Sequence, residues 1–238
     1  MEANVVLLIM DARMPEISRN QELEKMVADF NKKLILVINK IDLVSEEQVA
    51  QLKRQYPKSF LVSGARNIGM KNLKTNLLIL GKRMELRPIK VGIVGYPNVG
   101  KSAIINALAK RARTNVAPYA GTTKGLQWVK ISGLKVIDSP GVIPFEDKEV
   151  KLGLLGAKNP EKLRHTQRLA VEIIKNFLNG HRTALEEFYG IKLESDDEYE
   201  ILLAIGKKRG FLQKGGIVDE RRTALAIIMD WQKGRLKI

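Results

Sequence analysis

Short apolar runs recur along the first part of the chain and are separated by amphipathic segments. The runs are rich in β-branched residues, which is typical of central strands in a parallel sheet. They lie at residues 5–10, 34–38, 59–62 and 91–94. Residues 127–131 and 134–137, on either side of Ser132 and Gly133, predict a two-stranded hairpin. We therefore expect a mostly parallel sheet.

The amphipathic segments predict helices that cover this sheet. Residues 20–31 place four apolar side chains on one helical face, namely Leu23, Met26, Val27 and Phe30. Further helices are predicted after the N-cap Ser45, over residues 68–80, and from Ser102 to Leu108. Strands that alternate with helices in this way indicate the α/β class.

From Pro144 onward the strand patterns stop and helical patterns follow. Asn159, Pro160 and Glu161 form a helix start, and that helix is predicted to continue to Gly180. Other helices are predicted over residues 181–188, 196–210 and 219–234. We expect two domains, an α/β domain at residues 1–143 and a small all-α domain of about 90 residues at 144–238.

Positive charge is in strong excess. The 238 residues carry a formal net charge of +15 and a pI near 9.9. This excess favours a polyanionic partner, nucleic acid first and a membrane surface second, with a merely solvated surface as the alternative. The absence of cysteine excludes disulfides and thiolate metal sites. The run at 5–10 is too short to span a bilayer, so we expect a cytoplasmic protein without a membrane partner. We also expect a monomer.

Residues 95–102, GYPNVGKS, match the phosphate-binding pattern G-x-x-x-x-G-K-[ST] between a predicted strand and a predicted helix. Glycines let backbone N–H groups approach a phosphate, and the helix N-terminus adds partial positive charge. In this pattern Lys101 reaches the β- and γ-phosphates, and the Ser102 hydroxyl ligates Mg²⁺. The other predicted contacts of the loop are Pro97, Asn98, Val99 and Gly100. An ordinary glycine turn is the alternative.

The tetrapeptide NKID at residues 39–42 follows the second apolar run. The Asp42 carboxylate can accept hydrogen bonds from guanine N1–H and N2–H₂, whereas adenine offers neither donor there. Asn39 is expected at the N7 side of the base and Lys40 along the base and ribose. Three small residues after the third strand would let a backbone N–H approach guanine O6: Ser63, Gly64 and Ala65.

Two later segments complete a predicted site for GTP or GDP. Thr122 and Thr123, in the loop GTTKG, are candidate Mg²⁺ ligands. Asp138 ends a predicted strand and can hold Mg²⁺ through its water shell, while the Gly141 N–H can bond a γ-phosphate. The predicted Mg²⁺ ligands are Ser102, Thr123 and Asp138, and the predicted catalytic groups are Lys101, Thr123 and Gly141.

The order of these motifs is unusual. In the common G domain the phosphate loop comes first and the guanine-reading segments last, whereas here NKID and SGA precede the other three. The order G4-G5-G1-G2-G3 indicates a circularly permuted P-loop NTPase G domain, in which residues 81–90 join the natural ends. Because the helical domain begins a few residues after Gly141, we expect the nucleotide state to affect that domain.

This set of motifs resembles the YlqF/YawG (RbgA-like) family of circularly permuted GTPases over essentially the whole chain. The shared segments are DARMP, SRN, NKIDL, SGA, GYPNVGKS, GTTKG, DSPGV and AIGKKRGFLQKGGIVD. The resemblance implies Mg²⁺-dependent GTP hydrolysis in ribosome assembly, often stimulated by K⁺ and by ribosomes. It also implies that Asn98 coordinates K⁺ near the charge that develops between the β- and γ-phosphates, with loop stabilisation as the alternative role.

The group that orients the attacking water is not evident in these residues. Position 142 is Val, where many signalling G proteins have Gln. Relatives are thought to use a His upstream of the DARMP segment, but His165 and His181 fall in the helical part and are expected at its surface. We predict slow hydrolysis without a ribosome and K⁺. Water would be oriented by the backbone, K⁺ and a partner, or by an upstream segment.

Together these patterns predict a GTP-hydrolysing ribosome biogenesis factor that binds ribosomal RNA or a ribosomal subunit precursor in a nucleotide-dependent way. The predicted RNA contacts are Lys207, Lys208, Arg209, Lys214, Arg221 and Arg222, with a solvated helical face as the alternative. Trp231 is expected in the helical core. Other functions left open are a GTP-sensing RNA-binding placeholder that scarcely hydrolyses GTP, and a GTPase directed to translation or tRNA.

Overall fold

The computed structural model describes residues 2–109, 128–138 and 149–238. It divides into two compact units, Met1–Phe145 and Glu146–Ile238. The predicted threonine loop at 114–125 and the segment 139–148 lie outside the described residues, as does the side chain of Asp138.

A six-stranded sheet forms the framework of the first unit. Its strands are β1 (Val5–Asp11), β2 (Lys33–Asn39), β3 (Phe60–Leu61), β4 (Ile89–Val94), β5 (Trp128–Ile131) and β6 (Leu134–Asp138). Their order across the sheet is β3-β2-β1-β4-β6-β5. Neighbouring strands are parallel except β5 and β6, which form the predicted antiparallel hairpin. The mostly parallel α/β sheet predicted from the sequence is therefore confirmed.

Helices connect the strands of the first unit. They are α1 (Pro15–Ser18), α2 (Gln21–Asp29), α3 (Glu46–Gln55), α4 (Met70–Arg83) and α5 (Lys101–Ala109). The Asn20 side chain caps α2 by accepting a hydrogen bond from the Leu23 N–H at 3.0 Å. Ser45 caps α3 and forms a capping box with Gln48. Such caps satisfy backbone N–H groups that have no partner within the helix.

The buried face of α2 is narrower than the sequence pattern indicated. Leu23 and Val27 pack in the core beneath β1, but Met26 and Phe30 are 49% and 54% exposed. At 100° per residue, Met26 lies about 80° to one side of the line midway between Leu23 and Val27, which carries it past the edge of the contact with the sheet. Phe30 follows the last helical residue, Asp29, as the C-cap of α2.

The second unit consists of helices. They are α6 (Glu149–Leu154), α7 (Thr166–Leu178), α8 (Arg182–Tyr189), α9 (Glu198–Lys208) and α10 (Glu220–Gln232). The last three correspond to predicted helices. The predicted helix from Asn159 to Gly180 is wrong in its first part, because Pro160–Lys162 form only a 3₁₀ turn. Leu163 then adopts extended backbone and buries its side chain before α7 begins.

Trp231 lies at the centre of this helical unit, as expected. It is 1% exposed and meets the Phe177 ring edge-to-face, with 6.0 Å between ring centroids. Its indole N–H donates to the Leu154 carbonyl at 2.8 Å. Burial of the ring together with a satisfied N–H makes Trp231 a structural residue.

Candidate functional site

The carboxyl ends of the parallel strands gather the predicted motifs at one edge of the sheet. Asp11 of β1 is paired in register with Asn39 of β2, and Leu8 of β1 with Val94 of β4, where the phosphate loop begins. Ile93 is in turn paired with Asp138 on β6. Motifs that are far apart in sequence therefore start from adjacent strand ends, where open α/β sheets bind ligands.

Asn39 connects three of these motifs directly. Its side-chain Nδ2 donates to the Val99 carbonyl of the phosphate loop at 2.8 Å. Its Oδ1 accepts from the Gly64 N–H of the SGA loop at 3.0 Å. Asn39 is 2% exposed, so both bonds lie in the interior. One buried amide thus joins NKID, SGA and GYPNVGKS.

Glycine is required at two of these junctions because neighbouring atoms leave no room for a Cβ. A Cβ on Gly64 would stand 2.9 Å from backbone atoms of Ala103 and Ile104 in the first turn of α5. A Cβ on Gly100 would stand 2.1 Å from the Asn39 Nδ2 atom, and Gly100 also has a positive φ of 95°. Larger residues at either position would separate the motifs.

The phosphate loop has the backbone of an anion cradle. Gly95, Asn98 and Gly100 have φ values of 143°, 60° and 95°, so the chain reverses its curvature repeatedly within six residues. Lys101 is buried, and its ammonium donates hydrogen bonds to the carbonyls of Gly95 and Tyr96, with Nζ–O distances of 3.1 and 2.7 Å. The ammonium is therefore held across the loop at the N-terminus of α5.

A buried ion cluster adjoins NKID and was not predicted as part of the site. The Asp11 carboxylate, 3% exposed, accepts from Arg13 at 2.9 and 3.1 Å and from the Lys40 ammonium at 2.7 Å. Lys40 itself has left-handed backbone, with a φ of 68°. The signal in the sequence was the position of Asp11 directly after the apolar run at residues 5–10.

Opposing effects set the charges of this cluster. Burial alone would raise the pKa of Asp11, but the charges of Arg13 and Lys40 hold it well below its usual value. Burial lowers the pKa of the Lys40 ammonium, and the Asp11 carboxylate opposes that shift. The cluster is thus a carboxylate held between two cations, one of which belongs to NKID.

The other predicted nucleotide contacts range from buried to exposed. Asp42 is half-buried in the 3₁₀ turn Ile41–Leu43, and its carboxylate accepts no hydrogen bond from a described residue. Ser63 is buried and accepts from the Arg66 N–H at 3.0 Å. Pro97 is half-buried, whereas three predicted contacts are exposed: Ala65, Asn98 and Ser102.

Several predicted residues cannot be placed. Thr122, Thr123, Gly141 and Val142 lie outside the described residues, and Asp138 is described by its backbone alone. Within the described residues, no cluster of three or more His, Asp or Glu side chains could hold a metal ion. Ser102 and the end of β6 remain as the described parts of the predicted Mg²⁺ site.

All six predicted RNA contacts are exposed in the second unit, namely Lys207, Lys208, Arg209, Lys214, Arg221 and Arg222. The Arg222 guanidinium lies 4.6 Å from the Phe211 ring centroid, and that of Arg209 lies 5.2 Å from the Tyr189 ring centroid. His165 is exposed and His181 is half-buried. No helix in the described ranges has the length and hydropathy needed to cross a bilayer.

Comparison with known proteins identifies the family. Residues 1–147, more than half of the chain, match the family described as RsgA GTPase. The chain belongs to the RsgA GTPase family. Residues 90–205 also match the family described as 50S ribosome-binding GTPase.

The relatives of this RsgA-family chain align with nearly all of its residues and with varying shares of their own length. An uncharacterized GTP-binding protein of Methanocaldococcus jannaschii is 42% identical over 99% of this chain, which covers 63% of that protein and thus less than two thirds of it. Ribosome biogenesis GTPase A of Bacillus cereus is 29% identical over 98% of this chain and 84% of its own length. GDP-bound YlqF of T. maritima superposes with a TM-score of 0.61 at 26% identity, over 98% of this chain and 92% of that structure. These similarities confirm the YlqF- and RbgA-like resemblance.

Proposed function

We propose that this protein binds and hydrolyses GTP while it assists ribosome assembly through ribosomal RNA or a subunit precursor. The observation that carries the proposal is the buried Asn39 amide, which joins the NKID, SGA and phosphate-loop segments. Membership of a GTPase family supports the activity. The name Ribosome biogenesis GTPase A, borne by a relative that aligns with nearly the whole chain, supports the process.

Guanine would be selected at the NKID and SGA segments. Asp42 is half-buried and accepts no hydrogen bond from a described residue, so its oxygens suit guanine N1–H and N2–H₂. Lys40 would lie along the base while its ammonium remains paired with Asp11. The SGA backbone at Ser63, Gly64 and Ala65 would approach guanine O6.

The phosphates would occupy the loop at residues 95–102. The positive φ angles of Gly95, Asn98 and Gly100 support a curved backbone whose N–H groups could converge on a phosphate. Lys101 would neutralise the β- and γ-phosphates from its position across the loop. Pro97, Asn98 and Val99 complete the loop around them.

The accessible hydroxyl of Ser102 fits Mg²⁺, a hard cation that takes oxygen ligands. Thr123 and Asp138 would hold the ion with Ser102, and Thr122 would lie beside it. The exposed Asn98 side chain would hold K⁺. These cations would neutralise charge that develops on the phosphates during hydrolysis.

Hydrolysis would depend on Lys101, Thr123 and the Gly141 N–H. With Val at position 142, no side chain from that position can polarise water. We therefore expect slow turnover without a ribosome and K⁺. The helical unit would contact RNA through its six exposed basic residues, and the protein would act as a monomer in the cytoplasm.

The guanine site is tested by Asp42→Asn. Wild type should bind GDP in preference to XDP, and the variant should reverse that preference, because an amide N–H meets the xanthine O2 carbonyl. Titration calorimetry with both nucleotides measures the change. Unchanged GDP binding in the variant would contradict the assigned role of Asp42.

The reaction is tested by single-turnover GTP hydrolysis with and without separated ribosomal subunits, in KCl and in NaCl. We expect subunits and K⁺ each to raise the rate constant. A fast basal rate in NaCl would contradict the assigned water site. Subunit binding without any stimulated hydrolysis would instead identify an RNA-binding placeholder.

A further inference from the structure

A row of three lysines crosses neighbouring strands of the sheet. Lys90 on β4 is paired in register with Lys135 on β6, and Lys135 is paired with Lys130 on β5. Residues paired directly across strands point to the same face of a sheet. With strands about 4.8 Å apart, the three side chains start from a line about 10 Å long.

This part of the sheet is apolar on one face and charged on the other. Of the residues next to the lysines along these strands, Val129 is half-buried and the others are buried, namely Ile89, Val91, Leu134, Val136 and Ile131. On the lysine face, Lys130 is exposed, while Lys90 and Lys135 are half-buried. Such alternation is typical of a sheet with one face in a polar environment.

The positive charge of this row is not compensated locally. None of the three lysines forms an ion pair with a described residue. Like charges in directly paired positions destabilise a sheet. The first unit also carries most of the charge excess, with 23 Lys and Arg against 11 Asp and Glu, whereas the second has 18 against 15. The row therefore suits a partner with closely spaced negative charges.

An aromatic ring adjoins the row. Trp128 precedes Lys130 by two residues and therefore shares its face of β5. The Lys90 Nζ lies 5.8 Å from the Trp128 ring centroid, and the ring is half-buried. Sheet surfaces that bind single-stranded RNA combine two kinds of contact: basic side chains bind the phosphates, and an aromatic ring stacks on a base.

We propose that Lys90, Lys130 and Lys135, which we call the lysine row, form an RNA-binding surface together with Trp128. This surface lies on the first unit, Met1–Phe145, which is called the GTPase unit below. The ammonium groups contact consecutive phosphates, and Trp128 stacks against a base. This inference rests on the proposed RNA partner, but it places a contact outside the helical unit. The GTPase unit itself then touches RNA.

The test measures binding of a labelled oligouridylate and of an RNA stem–loop with single-stranded flanks over a series of KCl concentrations. The triple variant Lys90→Gln, Lys130→Gln, Lys135→Gln should lower the slope of log K against log [salt] by about two. The matched control Lys25→Gln, Lys53→Gln, Lys58→Gln changes the net charge equally at exposed helix and loop positions and should leave the slope unchanged. GDP affinity should be equal in all three proteins.

Trp128→Leu separates stacking from charge. It should weaken oligouridylate binding about fivefold or more at every salt concentration without changing the slope. A lysine-row variant that behaves like the matched control would overturn the proposal. Binding of wild type to phosphatidylserine vesicles but not to RNA would also reject it.

A third variant, Lys207→Gln, Lys208→Gln, Lys214→Gln, distinguishes the two surfaces. A lower slope of log K against log [salt] in this variant alone would support the predicted RNA contacts of the helical unit and reject the lysine row. Loss of slope in the lysine-row variant alone would do the reverse. If wild type binds neither RNA, both assignments fail.

Discussion

At the scale of single residues, Asp11 links the first strand to the NKID segment. Its buried carboxylate bonds to Arg13 and to Lys40 of NKID. The left-handed backbone of Lys40 is unfavourable for a residue with a side chain, and the ion pair with Asp11 compensates for this cost. We therefore predict that Asp11 is a positioning residue, which would hold Lys40 for the proposed nucleotide contact.

Asp11→Asn retains the size of the side chain and removes its charge. We expect GDP affinity to fall about tenfold, because Lys40 is no longer held, and the free energy of unfolding to fall by about 3 kcal/mol, because two buried cations lose their counter-charge. Calorimetry and urea unfolding measure the two effects. Asp29→Asn, at an exposed position on α2, is the control, and unchanged GDP affinity in Asp11→Asn would contradict the positioning role.

The same carboxylate makes stability depend on pH. Its folded pKa lies below the ordinary value of 3.8, so its stabilisation is complete above about pH 4 and is lost as the pH falls toward the folded pKa. In that window the free energy of unfolding falls by about 1.4 kcal/mol per pH unit. Between about pH 5 and pH 3, wild type should therefore lose more stability in urea unfolding than Asp11→Asn. Parallel profiles would show that Asp11 is not charged in the fold.

At the scale of elements, the SGA loop and the first turn of α5 pack backbone against backbone. Gly64 makes this approach possible, since any Cβ there would meet the main chain of α5 at 2.9 Å. The SGA loop and the helix that follows the phosphate loop therefore pack together as one assembly.

Gly64→Ala should force these elements apart. We expect a loss of about 1–3 kcal/mol in the free energy of unfolding, because backbone cannot move aside as a flexible side chain can, and weaker GDP binding. Ala50→Ser, at an exposed position on α3, is the control, and both variants are measured by urea unfolding and calorimetry. Wild-type stability in Gly64→Ala would mean that the loop and α5 separate at little cost.

The elements themselves were largely predictable. Apolar runs located the strands, and polar caps such as Asn20 and Ser45 located helix starts, because both signals are local. The errors came from tertiary packing. Met26 is exposed because the sheet contacts only one line along α2, and Leu163 interrupts a predicted helix because its side chain packs in the core.

At the scale of the whole molecule, the excess of positive charge is distributed unevenly over the two units. The net charge of +15 predicted a polyanionic partner, and all six predicted RNA contacts lie in the helical unit. Most of the excess positive charge, however, lies in the GTPase unit. Composition gives the total charge, whereas only strand register shows that Lys90, Lys130 and Lys135 are neighbours.

The permuted order predicts that nucleotide state is transmitted along the chain. The segment after Gly141 leads directly into the helical unit, so amide hydrogen exchange in residues 149–178 should differ between complexes with a GTP analogue and with GDP. Residues 46–55 of α3 should exchange equally in both complexes and serve as the internal reference. Identical exchange in the helical unit would contradict coupling through this connection.

The sequence by itself determined the α/β class, the permuted motif order and the residues NKID and GYPNVGKS, because local periodicity and spacing encode them. Tertiary structure alone decided that Asn39 joins three motifs and that Asp11 holds Lys40. Both depend on which strands become neighbours in the sheet. Parallel pairing brings together residues as far apart in the chain as Leu8 and Val94, and no local pattern contains that information.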